Sequence, residues 1–461
     1  MAATASADHA QWSSRFAFIM AAVGSSVGLG NLWRFSSEAG QNGGGAFIVI
    51  YLLAVVLVCI PVLLSEYLVG RAGQDANAIG SVGDVALRSG VSRNWTLMSW
   101  IGMVAGFMIV TFYCVVAAWV TRYIFKFFTG DFAGQSAEAV AAQFAEFILD
   151  PLAVLPWFFA FAFITIWLVS RGVNKGIELA ATVLMPIFFV LLIGLALFGV
   201  FGNLDNGGTA EALRFLYTPD LSAITGDVAA SALGQAFFSV GIGSAIMITY
   251  GSYIPRGVSL PRSATTVGLI DTAVALIAGL AIFPVTFAFG LEPAAGASLF
   301  FITLPNAFEA MGGVGTLLGA AFFFLAFFAA ITSSVSLLEP SVAYVHERFG
   351  LTKRRAAWIM GALMIAIGLI SVFGVSADKG TFALDAIDTF TGQVMLPLAG
   401  FLTVVFVGWR VNRTILEDET AGAGEGMGRL LLFLTRWVAP AFVLVVLVTS
   451  VYDSYIAPPG T

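Results

Sequence analysis

The run Gly24-Ser25-Ser26-Val27-Gly28-Leu29-Gly30-Asn31-Leu32-Trp33-Arg34-Phe35 constrains this chain more than any other part of it. It lies in an otherwise apolar stretch, from about Trp12 to Phe35, long enough to cross a bilayer. Yet it holds three glycines, two serines, an Asn and an Arg. Lipid offers no hydrogen bonds to freed backbone, so irregular chain at membrane depth survives only where protein or water lines it. A helix broken there turns N–H groups one way and C=O groups the other, which suits an anion beside a cation. The plain alternative is a glycine-rich helix-packing face, on which an Arg and an Asn have no place.

With 59% hydrophobic and 10% charged residues, the chain reads as a polytopic membrane protein rather than a soluble domain. Eleven candidate spans lie near 13–37, 45–70, 95–127, 154–171, 176–201, 229–253, 264–290, 314–345, 355–374, 382–409 and 430–452. Placing the N-terminus inside puts 16 of the 21 Lys and Arg on or near the inner side, leaving Arg34, Arg122, Lys126, Arg214 and Lys379 outside. That asymmetry predicts a cytoplasmic N-terminus and an external C-terminus. Cys59 and Cys114 fall in apolar spans and read as packing residues. Met1 to Gln11 is small and polar, so no signal peptide is read.

The sixth span repeats the opening theme: Gln235-Ala236-Phe237-Phe238-Ser239-Val240-Gly241-Ile242-Gly243-Ser244 is again glycine-broken in mid-membrane. Two interrupted spans, each opening one half of spans 1–10, point to a binding site between inverted repeats. The expected architecture is all-α, 11 transmembrane helices in a 5+5 inverted-repeat core. One transmembrane domain fills 1–461, with repeats at 12–201 and 228–410 and an additional helix at 430–452.

Gly28-Leu29-Gly30-Asn31-Leu32-Trp33-Arg34-Phe35, followed by Asn42-Gly43-Gly44-Gly45-Ala46-Phe47, resembles the signature of the neurotransmitter:sodium symporter family. The likeness continues through Lys175-Gly176-Ile177-Glu178, Gly234-Gln235-Ala236-Phe237-Phe238-Ser239, Ile248-Thr249-Tyr250-Gly251-Ser252-Tyr253 and Phe328-Ala329-Ala330-Ile331-Thr332-Ser333-Ser334, in family order. It is closest in kind to the bacterial members that carry leucine and other hydrophobic amino acids. The resemblance implies a leucine-transporter-like fold in the bacterial cytoplasmic (inner) membrane, and sodium-driven import of an amino acid by alternating access.

Two sodium sites are implied. One takes the carbonyls of Gly24, Val27 and Ala329 and the hydroxyls of Thr332 and Ser333, a neutral oxygen set suited to a hard cation. Back-bonding to their own helix is the alternative role for those two hydroxyls. The other takes the Ser26 carbonyl, Asn31, Ser239 and Asp271, closed by the substrate carboxylate. That shared ligand would couple ion to substrate. Asp271 stands where the family usually has Asn, and Ala275 where chloride-dependent members have Ser. A fixed carboxylate makes a halide redundant, so chloride is expected not to be required.

The resemblance also implies a substrate pocket. The carboxylate would meet the N–H groups of Leu29 and Gly30 and the Tyr113 hydroxyl; the ammonium would meet carbonyls of Ser26, Phe238, Ser239 and Gly241. Ser25, Ile109, Phe238, Gly241, Ser244, Ser333 and Leu337 would line the side-chain space. Gly241 and Ser244 replace bulkier residues of the leucine pattern, predicting room for branched or aromatic substrates. Arg34 and Asp388 match an outer charged pair above a Tyr113–Phe238 lid, and Gln235 and Glu66 a brace for span 6. His9 and Glu347 match an inner latch, although a terminal His is more often solvated surface. Gly176 and Pro186 would let the fifth span unwind at its cytoplasmic half.

Neither a continuous polar pore lining nor a convergent catalytic group set is present in the spans, which disfavours a channel or an enzyme. A transport-inactive amino acid sensor on the same fold, or a symporter of another small zwitterion, are the alternatives. Oligomeric state and nucleic-acid partners leave no signal in the sequence; none of the latter is expected.

Overall fold

The structure, a computed structural model, describes residues 11–73, 75, 77–291, 297–378, 380–421, 424–452 and 456. In chain order its principal helices are α1 (Arg15–Ser26), α2 (Gly30–Gln41), α3 (Gly45–Gly73), α4 (Arg93–Thr129), α5 (Pro151–Ser170), α6 (Val173–Phe201), α7 (Gly226–Val240), α8 (Ile246–Ser252), α9 (Leu260–Ala288), α10 (Gly313–Phe349), α11 (Lys353–Phe373), α12 (Phe382–Trp409), α13 (Arg413–Thr420) and α14 (Gly426–Val451). Nine of them, among the described residues, are long and apolar enough to cross a membrane: α3–α6, α9–α12 and α14. Counting the bent pair α1/α2 as one span makes ten.

Burial sorts these helices. Within its apolar window α4 is 78% buried, whereas α6 is 33% buried and α5, α11 and α14 are each 39% buried. The first is central; the others present apolar flanks such as Leu152, Val190 and Phe373 outward, as lipid contact requires. The two cysteines are free and buried.

The breaks have local causes. Ser14 caps α1 by accepting from the Ala17 N–H at 3.1 Å. After Ser26 the chain turns extended at Val27 (ψ 105°), and α2 restarts at 57° to α1. Asn31 supports the restart by accepting the Gly28 N–H at 3.0 Å. Between α7 and α8, Gly241, Gly243 and Ala245 all take positive φ (69°, 83° and 61°), which stops the helix. Gly243 is needed there twice over, because a Cβ would stand 2.2 Å from the Leu396 carbonyl oxygen.

The fifth span, expected to be able to unwind at its cytoplasmic half, is wound in this structure. Here α6 is helical from its first residue, opening on a π turn at Val173–Glu178 with Pro186 inside the following α-helix. Gly176 seats that turn against α5, where a Cβ would meet the Leu168 carbonyl oxygen at 1.9 Å. Tight backbone packing therefore holds the segment wound despite its Gly and Pro.

Candidate functional site

The two helix breaks face each other and are tied together. Ser26, the last residue of α1, donates its hydroxyl to the Val240 carbonyl at the end of α7 at 3.0 Å. Glu66 of α3, fully buried, accepts the Gly243 N–H at 2.8 Å, and Gln235 of α7 donates to the Gly30 carbonyl at 3.2 Å. The Glu66 brace satisfies a backbone N–H that the interruption leaves without a helical partner in an apolar interior.

Between the breaks lies a small cavity of about 80 Å³. The structure brings all twelve residues expected of the substrate pocket to its wall: Ser25, Ser26, Leu29, Gly30, Ile109, Tyr113, Phe238, Ser239, Gly241, Ser244, Ser333 and Leu337. Gly28, Phe112, Ile246 and Leu396 line it too and were missed. Phe112 adjoins Tyr113 and was open to inference; Leu396 comes from α12, and no motif placed that helix here. Tyr113 Oη accepts the Leu29 N–H at a long 3.4 Å. Ser244 turns back on the Gly241 carbonyl at 2.7 Å, so its hydroxyl is spent locally.

One side of the cavity carries an acid. Asp271 is fully buried; its Oδ1 accepts from Asn31 Nδ2 and its Oδ2 from Ser239 Oγ, both at 2.8 Å. Among the described residues it has no Lys or Arg partner within ion-pair distance. A carboxylate taken out of water with only an amide and a hydroxyl for company favours a cation strongly. Ser239 and Asp271 thus gather a hydroxyl and a carboxylate next to the cavity, oxygen donors that fit sodium, while Asn31 turns its Nδ2 to them and its Oδ1 to the Gly28 N–H.

A second oxygen cluster forms where α10 crosses the end of α1. Ser333 Oγ lies 3.4 Å from the Gly24 carbonyl and 3.3 Å from that of Val27. Both are long for O–H···O bonds, which leaves these end-of-helix carbonyls poorly satisfied. Thr332 Oγ1 lies 3.1 Å from the Ala329 carbonyl of its own helix. Thr332 therefore does back-bond, whereas Ser333 reaches across to α1. Ser333 Oγ and the Gly24 and Val27 carbonyls thus bring together neutral oxygens of the kind a hard cation takes.

The gating residues are placed less as expected. Arg34 lies with its guanidinium 4.4 Å from the Phe238 ring centre, over the cavity, but its ion pair is with Glu38 at 3.8 Å and not with Asp388. Glu38 sits one turn along the same helix and is simply nearer. Asp388 feels the charge of Arg34 from beyond pairing distance. Glu347 accepts from Asn77 Nδ2; the expected partner His9 lies outside the described residues. The inner end also holds contacts of residues not singled out beforehand. Trp12 is buried against Tyr250 and Tyr253, donating Nε1–H to the Tyr250 carbonyl at 3.1 Å. Ser13 binds Glu178 through both its N–H (3.1 Å) and its hydroxyl, and Asn174 Nδ2 donates to the Gln11 carbonyl at 2.8 Å. Glu178 stood in the quoted motif, but only the fold brings it to the start of α1.

An all-helical, multi-span membrane protein with paired breaks around one enclosed cavity has the construction of a secondary transporter. The sequence matches the profile of the Sodium:neurotransmitter symporter family over residues 9–145 and 148–458. It is 36% identical over 444 residues to the uncharacterized sodium-dependent transporter YhdH of Bacillus subtilis, covering 95% of this chain and 96% of that one. It is 30% identical over 471 residues to an uncharacterized sodium-dependent transporter of Methanocaldococcus jannaschii, covering 96% and 92%. Its fold superposes on the crystal structure of MhsT in complex with L-phenylalanine with a TM-score of 0.87, at 38% identity and covering 96% and 99% of the two chains. The chain belongs to the sodium:neurotransmitter symporter family.

Proposed function

We propose that this protein is a sodium-coupled symporter that imports hydrophobic or aromatic amino acids by alternating access, binding two sodium ions and needing no chloride. The observation that carries this reading is the buried Asp271 carboxylate, which is tied to a wall residue of the cavity, Ser239, and lacks a protein cation. Sodium held by Asn31, Ser239, Asp271 and the Ser26 carbonyl would supply that cation, and the substrate carboxylate would complete its shell. Gly24, Val27, Ala329, Thr332 and Ser333 would hold the second ion, bracing α10 against α1. Ion and substrate then each lose a ligand when the other leaves, which makes the binding reciprocal.

The substrate would place its carboxylate on the N–H groups of Leu29 and Gly30 at the start of α2 and its side chain among Ile109, Phe112, Phe238, Ile246 and Leu337. This apolar wall disfavours basic amino acids. MhsT, with L-phenylalanine in its structure, supports an aromatic substrate. In the same reading spans 1 and 6 are each a broken helix, giving 11 spans in all, with repeats at 12–201 and 228–410 and an extra helix at 430–452. The protein would sit in a bacterial inner membrane with its N-terminus inside.

The test is binding to purified protein of L-phenylalanine, L-tryptophan, L-leucine, glycine and L-lysine, each in sodium and in potassium. Tight binding of the first three in sodium only is the expected result. Equal affinity in potassium would overturn the coupling, and a preference for glycine or lysine the substrate class. Binding without uptake into vesicles would mark a sensor.

A further inference from the structure

Outside the central cavity, a groove of about 640 Å³ opens where the end of α12, the short α13 and the first turns of α14 meet. Arg413, Arg429 and Arg436 line it, with Glu417 as the acid in the wall and Leu416 and Leu432 as apolar floor. The helices meet closely because α12 has Gly408, where a Cβ would stand 2.9 Å from the Arg436 Cα. Arg436 is stacked 5.4 Å from the Trp437 ring centre, and the exposed Trp437 and Trp409 rings lie 6.2 Å apart. Tryptophan pairs of this kind favour the membrane–water boundary. From Arg436 the chain runs into the apolar segment Ala439–Val451, so the groove lies where headgroups would be.

The charge of Arg413 is not neutralised firmly. Glu417 pairs with Arg413 at 2.7 Å, but the two side chains are 60% and 89% exposed, and an exposed pair one helical turn apart is weak and easily exchanged. The neighbouring acid Glu419 is already engaged by Arg71 at 2.5 Å. Arginine binds phosphate oxygens bidentately and with stacking on tryptophan, better than any ammonium does. Leu444, Val445 and Val448, exposed further along α14 beyond Arg436, continue an apolar surface into the membrane, where acyl chains would run.

We propose that this groove binds the phosphate of an anionic glycerophospholipid, held by Arg413 and Arg436 with its chains along α14. The proposal rests on the membrane orientation given above only in assigning the groove to the inner leaflet. Its readout is lipid retention, which does not depend on what the central cavity carries.

Native mass spectrometry of delipidated protein titrated with phosphatidylglycerol or phosphatidylcholine tests it. The unmodified protein should retain phosphatidylglycerol selectively. Each of R413Q and R436Q should weaken retention roughly fivefold, and the pair on the order of twentyfold. R413K/R436K, which keeps the charge but loses the bidentate fork, should keep only part of it, and R171Q, a distant arginine also stacked on a tryptophan, should change nothing. Unchanged retention in the double glutamine variant, or equal retention of phosphatidylcholine, would overturn the site. Displacement of the lipid by millimolar inorganic phosphate or glycerol 3-phosphate would overturn the lipid assignment in favour of a soluble phosphate.

Discussion

Asp271 concentrates the chemistry of this protein in one side chain. A carboxylate and a sodium ion about 4 Å apart attract by roughly 4 kcal/mol even at an effective dielectric near 20. Asp271→Asn keeps an oxygen and both hydrogen-bonding neighbours but loses the charge. The fold should survive while the sodium concentration for half-maximal substrate binding rises at least tenfold. Adding Ala275→Ser should restore binding in chloride and not in gluconate, whereas the unmodified protein should behave alike in both; sodium titrations in the two anions decide it. Ser244 gives a second expectation at this scale. Its side chain is buried on the cavity wall, and overpacking a filled site typically costs about 1–3 kcal/mol. Ser244→Phe should thus weaken L-tryptophan and L-phenylalanine at least tenfold while sparing alanine, as competition binding would register. At this scale the motifs were readable where a residue's type states its task, as with Asp271 or Asn31. They misled where the partner was chosen by distance, as with Arg34, which Glu38 reaches before Asp388 does.

The elements of this fold are tied at their ends rather than along their lengths. At the inner end, Glu178 receives Ser13 and Asn174, joining the start of α1 to the π turn that opens α6. Hydrogen bonds to a charged acceptor are worth about 1.5–3 kcal/mol each, so their loss should free both helix ends together. Glu178→Ala should speed amide exchange at residues 12–20 and in 173–178 at least tenfold; Glu178→Gln, which keeps an acceptor, should do so less. Faster exchange in one segment alone would mean that the two ends move independently. Hydropathy found the nine long helices because apolar length is all that a bilayer demands. It says nothing of how closely the Leu168 carbonyl of another helix approaches the Gly176 segment, which only helix packing decides.

Across the whole molecule, one buried ion pair links elements far apart in sequence. Arg71, at the end of α3, binds Glu419 of α13 at 2.5 Å and the Val258 carbonyl in the segment ahead of α9 at 2.5 Å. Its side chain is 7% exposed, so removing it strands a carboxylate in poor solvation. Breaking such a pair from one side costs about 3–5 kcal/mol. Arg71→Ala should lower the thermal unfolding midpoint by several degrees with sodium and substrate absent; Arg71→Lys, unable to span all its acceptors, should recover only part of it. An unchanged melting curve would remove Arg71 from the stabilising set. The sequence alone determined the membrane class, the nine long helices and the positions of both breaks, because bilayer thickness and the cost of unpaired backbone in lipid leave few alternatives. It also named the residues that would serve a sodium-coupled site. The tertiary structure alone decided which of them meet: that Ser333 turns to α1 while Thr332 bonds its own helix, that Leu396 enters the cavity wall, and that Trp12 and Glu178 make contacts at the inner end. Those outcomes depend on crossing distances between helices remote in sequence, which no local pattern of residues encodes.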